Sequence, residues 1–218
     1  RGGVQRLPLG RPVADEGPGY PRRARRERRP LPEEDPQREQ GQGALRPHRR
    51  GGRPLGRCGV LPLPRRVTEE RGADAFIAAI PDLVAAGVQV IIATDMPTPL
   101  RKSADALMKK HPHDVHVRVG YDEEYLHHLM AGATVLVKPS RHEVSGQFQR
   151  IALAYGTIPI VRAVGGIAEG LVDVDEAKGA GNAFIMKKTD AAEIVKTFKR
   201  ALKAHASHEA WSEIVGKA

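Results

Sequence analysis

Residues 65–218 of this sequence predict an α/β domain built on a doubly wound parallel sheet. Three observations carry that expectation. Short β-branched runs such as VQVIIAT (88–94), ATVLVK (133–138) and IPIVRA (158–163) are apolar almost throughout, as strands buried on both faces are. Helical stripes of ten or so residues separate them. Strand and helix alternate along the stretch, which implies parallel βαβ units with helices on both faces of the sheet.

The elements follow in order. In ADAFIAAIPDLVAA (73–86), Phe76, Ile77, Ile80, Leu83 and Val84 make a helical stripe that stops at Gly87, the position a left-handed cap needs. Pro81 falls inside it and is expected to bend it. Strand 88–94 is followed by a helix over 100–110 with a basic surface. VHVRVG (115–120) alternates as a short strand, 123–131 is a helix and 133–138 a strand. Residues 146–155 form a helix, 158–163 a strand, 166–172 a short helix and 182–186 a short strand. An amphipathic helix over 190–204 takes Thr189 as its N-cap, and a last helix holds Trp211.

Residues 1–64 are of another kind. They hold 15 Arg against 7 acidic residues and 11 of the 17 prolines, and no Lys, Ile, Phe, Met, Asn, Ser, Thr or Trp. Too few bulky apolar groups are present to offset the entropy of ordering the backbone, so disorder is expected. Two origins stand open: an arginine-rich arm for RNA or another polyanion, or a GC-rich gene read out of frame. The net charge of +9 is confined almost entirely to this segment, because 65–218 carries 20 basic and 19 acidic residues. Nucleic-acid binding is therefore not expected of the folded part.

The lone cysteine, Cys58, excludes a disulfide framework and a cysteine-rich zinc site, and fits a reducing, cytoplasmic setting. No run of 18 apolar residues exists, so no membrane-spanning helix is expected. His111, His113, His127 and His128 lack ligand spacing, and no metal or cofactor is expected. The chain opens on Arg1 rather than Met, as a piece of a longer protein would.

In doubly wound sheets ligands lie outside the carboxyl ends of the strands. KPSRHEVSGQF (138–148) lies between a strand and a helix on that rim, with Ser140, Arg141, His142, Glu143, Ser145 and Gly146 packed into one turn. VGGIAEG (164–170) occupies the same rim. Its Gly165-Gly166 pair permits a tight turn and lets an anion approach the N–H groups that open the next helix.

RRVTEERG (65–72), GYDE (120–123), PSRHEVSGQFQ (139–149), YGTIPIV (155–161) and VGGIAEGLV (164–172) occur in the order and spacing of the carboxyl-terminal domain of bacterial glycogen and starch synthases, which this stretch resembles. The resemblance implies the carboxyl-terminal, Rossmann-like half of a GT-B glycosyltransferase. Such an enzyme transfers glucose from a nucleotide sugar, usually ADP-glucose, to an α-1,4-glucan with retention. The family's pyrophosphate-binding Arg falls on Arg66, its Lys partner on Arg71, its acid on Glu143, its adenine-stacking Tyr on Tyr121 and its paired glycines on Gly165 and Gly166. Glu143 would hold the sugar near the charge developing at its anomeric carbon, with Ser145 and Gly146 beside it.

The sequence departs from the pattern at Arg71, at Val164 for Thr, at Ser145 for Cys, at Glu169-Gly170-Leu171 for Asp-Thr-Val, and at TDMPTP (94–99) for a glycine-rich turn. Arginine is a planar fork and lysine a point charge, so the change at Arg71 alters geometry as well as identity. The family's amino-terminal domain is not represented. The expectation is a donor half that is inactive alone, with a GT-B transferase of other donor or acceptor as the nearer alternative and an RNA-binding protein as the further one.

Overall fold

A computed structural model of the chain describes residues 69–120, 123–175 and 181–218, and the backbone of 57–60. Among the described residues six strands and six α-helices follow one another: β1 (Arg57–Val60), α1 (Ala73–Ala85), β2 (Gln89–Ala93), α2 (Thr98–Lys110), β3 (Val115–Arg118), α3 (Glu123–Gly132), β4 (Ala133–Lys138), α4 (Gln147–Ala154), β5 (Ile158–Arg162), β6 (Phe184–Met186), α5 (Ala191–His205) and α6 (His208–Val215). The sheet runs β3-β2-β1-β4-β5-β6 with every neighbouring pair parallel. This is the doubly wound architecture the sequence predicts.

The sheet separates two apolar cores, and period-two alternation feeds both. On β2, Val90 and Ile92 face the core made with Phe76, Ile80 and Leu83 of α1 and Ile194 and Phe198 of α5. Ile91 and Ala93, between them, face Leu126, Leu129 and Met130 of α3 and Phe148 and Ala152 of α4. A strand that must satisfy two cores cannot carry a polar face, which is why VQVIIAT reads as continuously apolar.

β1 overturns part of the expectation for residues 1–64. Arg57–Val60 pairs with β2 at Val60↔Ile92 and with β4 at Gly59↔Leu136, in the middle of the sheet. Four residues enclosed by Gly and Pro carry too short an apolar run to announce a strand. Non-local pairing supplies what local pattern lacks. The rest of that segment lies outside the described residues.

Smaller differences have local causes. α2 starts two residues before the expected position because Pro99, which has no N–H to lose, suits the first turn. β3 ends at Arg118, and Gly120, at φ 96°, donates its N–H to Asp95 Oδ1 at 3.1 Å. The helix expected over 166–172 is a single 3-10 turn, Gly165–Ile167, after which Gly170 at φ 73° has left helical geometry. α5 is capped by Asp190, whose Oδ1 accepts from Glu193 N–H at 2.8 Å, not by Thr189. Pro81 lies exposed in α1, which continues through it.

Candidate functional site

Strand order reverses at β1/β4, the switch point outside whose carboxyl ends doubly wound sheets hold ligands in a crevice. Two of the charged groups expected there meet. Arg71, at the end of a 3-10 turn (Glu69–Arg71) ahead of α1, places Nη1 2.6 Å from Glu143 Oε2. The same nitrogen donates to the His142 carbonyl at 2.9 Å. Lys138, the last residue of β4, places Nζ 3.1 Å from the same carboxylate oxygen. Both cations therefore meet one oxygen of the carboxylate.

The Glu143 side chain is 3% exposed, Lys138 5% and Arg71 27%, which makes the cluster a buried one with a single partly open member. Burial alone would raise the Glu143 pKa, but the Lys138 and Arg71 cations outweigh it and hold the carboxyl below its ordinary range. Burial pushes the Lys138 ammonium below its ordinary value, against the pull of Glu143.

Glycine makes the rim. At Gly165, φ 52°, an added Cβ would collide with the Glu143 carbonyl, and at Gly146 with the Gly166 carbonyl and Gln149 Nε2. The turn after β4 and the turn after β5 therefore lie backbone on backbone, with Ser145 exposed at the tip and packed over Gly166. Because Gly165–Ile167 is one turn and not a helix, it brings backbone N–H groups to the rim but no helix dipole, a correction to the sequence-based expectation.

Three residues unassigned by sequence reasoning hold this arrangement. Lys138 hides at the end of an apolar run and reads as an ordinary strand terminus. Arg141 grips Asp74 at 2.7 and 2.8 Å and the Glu69 carbonyl, while its own N–H and that of His142 reach the Glu70 carbonyl. Its fork ties the β4 turn to the start of α1. Gln149, fully buried, donates Nε2 to the Gly166 carbonyl at 3.2 Å. The Gln of PSRHEVSGQFQ was the available signal for that last residue. Arg66 and Tyr121 lie outside the described residues. Among the described residues no group of three or more His, Cys, Asp or Glu could hold a metal ion, and no helix is long and apolar enough to cross a membrane.

The family profile described as "Glycosyl transferases group 1" matches residues 59–217. The chain belongs to that family. Within the group 1 glycosyltransferases it is 36% identical over 155 residues to the glycogen synthase of Halorhodospira halophila, covering 71% of this chain and 32% of that enzyme. It is 36% identical over 140 residues to the glycogen synthase of Edwardsiella ictaluri, covering 63% of this chain and 29% of that enzyme. The chain thus spans about a third of the length of the curated relatives it matches.

Among solved structures, it resembles the catalytic domain of starch synthase IV from Arabidopsis thaliana bound to ADP and acarbose. The TM-score is 0.65 at 25% identity, over 74% of this chain and 34% of that one. The carboxyl-terminal domain of a group 1 glycosyltransferase from Francisella tularensis shares the fold, with TM-score 0.59 at 15% identity, over 73% of this chain and 80% of that one. The glycogen/starch synthase resemblance and the GT-B fold seen in the sequence therefore stand, and the matched region begins inside β1 rather than at residue 65.

Proposed function

We propose that this chain is the donor-binding half of a retaining glucosyltransferase of the glycogen and starch synthase type, which moves glucose from ADP-glucose to the end of an α-1,4-glucan. The observation that carries this reading is the buried Glu143 carboxylate held by Arg71 and Lys138 at the β1/β4 crevice. Its surplus positive charge suits a diphosphate, and its carboxylate suits the hydroxyls of a hexose. Likeness to glycogen synthases over 155 and 140 residues supports the substrate class.

In this reaction the bond from the anomeric carbon to the diphosphate oxygen breaks and its electron pair leaves with the nucleotide. The acceptor hydroxyl oxygen bonds to the anomeric carbon, and its proton ends on the departing diphosphate. Charge grows on the diphosphate as the bond lengthens, so cations fixed beside it favour the transition state over the ground state. Arg71, with Arg66 assigned by the family pattern, serves that end. Glu143 faces the positive charge growing on the sugar, Tyr121 stacks on the adenine, and the Gly165-Gly166 turn, with Ser145 and Gly146, lets the diphosphate approach backbone N–H groups.

The test is calorimetric titration of the full chain with ADP, UDP and GDP. ADP binds, and Arg66→Ala and Tyr121→Ala each weaken it. Absence of heat with all three nucleotides from folded protein refutes the reading, and preference for UDP or GDP reassigns the donor. The chain alone transfers no glucose from ADP-glucose to glycogen, because near-attack positioning, which can supply about 7–11 kcal/mol, needs both walls of a cleft. Joining it to an amino-terminal domain from a glycogen synthase gives activity.

A further inference from the structure

Glu143 has two cations on one oxygen, and the two are not equivalent. Lys138 rises from the end of β4, is 5% exposed, and has its ammonium 5.8 Å from the Phe148 ring centroid on α4. Enclosed in this way, it has no path to a ligand in the crevice. Arg71 stands on a short 3-10 turn, is 27% exposed, and its other contact is a carbonyl that water or a ligand oxygen can replace. An anion entering the crevice can draw Arg71 away from Glu143 but cannot draw Lys138.

We propose that Lys138 is a positioning residue that remains as the counter-ion of Glu143 when Arg71 turns to the diphosphate of a bound nucleotide. The proposal rests on the donor-site reading above. Without Lys138, departure of the guanidinium would leave a buried carboxylate unpaired, and such a group takes up a proton. A protonated Glu143 could not offset positive charge on the sugar. With Lys138 in place, Arg71 is released and the acid stays ionised.

Among the described residues, the charged groups that meet Glu143 are Arg71 from the turn before α1 and Lys138 from β4. His142 contributes its carbonyl to Arg71, the turn after β5 contributes the Gly165 backbone, and α4 contributes the uncharged Phe148 against Lys138. The directions already noted, Glu143 below its ordinary pKa and Lys138 lowered by burial against Glu143's pull, agree with a carboxylate kept ionised by its neighbours.

The experiment counts protons taken up when ADP binds the full chain, by calorimetry between pH 6 and 7.5 in buffers of different ionisation enthalpy. The nucleotide's own protonation is common to every variant. Lys138→Met takes up as much as one proton more than wild type, and its affinity then falls with rising pH by as much as tenfold per unit. Glu143→Gln added to Lys138→Met abolishes the extra proton. Should Lys138→Met not fold, Lys138→Gln is read in the same way. Equal counts in wild type and a folded, ADP-binding Lys138 variant overturn the proposal, as does an extra proton that persists when Glu143→Gln is added to Lys138→Met. If wild type binds no nucleotide, the donor-site reading falls and this one with it.

Discussion

A carboxylate with 3% exposure survives as an anion only because Arg71 and Lys138 stand within 2.6 and 3.1 Å of one of its oxygens. Removing one partner from a buried ion pair costs about 3–5 kcal/mol, since the survivor is left uncompensated. The pH dependence follows. The folded pKa of Glu143 is depressed, so its contribution is full above the unfolded value of about 4.3 and is lost as pH falls through the folded value. Wild type should therefore exceed Glu143→Gln in melting temperature at pH 7, and the gap should close on acidification below about pH 4.3. A gap that widens in acid would show the carboxylate to be destabilising when ionised. In a two-domain chimera, Glu143→Ala should lower kcat by about 10²-fold or more while changing the ADP-glucose Kd much less, because its partner charge appears only in the transition state. Matched losses in kcat and Kd would make Glu143 a binding residue only.

Two turns pressed backbone to backbone behave as one element. Gly146 and Gly165 allow the approach, and a Cβ at Gly146 must displace both the Gly166 carbonyl and the Gln149 amide that bonds it. Gly146→Ala should cost about 2 kcal/mol or more in a urea titration and weaken ADP binding as the Gly165-Gly166 turn shifts. A neutral substitution would mean that the turns separate easily. The sequence announced the rim through glycines and a cluster of polar residues after apolar strands, signals that survive because they are local. It did not announce Lys138, whose significance comes from what folds over it, nor Arg141, whose partners Glu69 and Asp74 lie about 70 residues away.

At the scale of the molecule, β2, β4 and β5 were legible because strands buried on both faces leave long apolar runs. β1 was not, because a four-residue central strand takes its stability from neighbours. That changes what a truncation should do. Removing residues 1–64 takes away the strand between β2 and β4, so 65–218 should lose its cooperative melt while 57–218 retains one. Equal melting temperatures for the full chain and 65–218 would contradict the central place of β1.

The same strand has a kinetic meaning. β1, β2 and β3 lie within 57–118 and can assemble from nearby sequence, as β4, β5 and β6 can within 133–186. The two triplets join along β1/β4, at a separation of more than 70 residues and a correspondingly larger closure entropy. That seam is the natural place for partial opening, and amide exchange along β4 should be faster than along β2. Arg71 and Glu143 stand on opposite sides of it. A nucleotide sugar that engages Arg71 through its diphosphate and Glu143 through its hexose would act as a clasp, slowing exchange at the junction of the halves more than anywhere else in the chain.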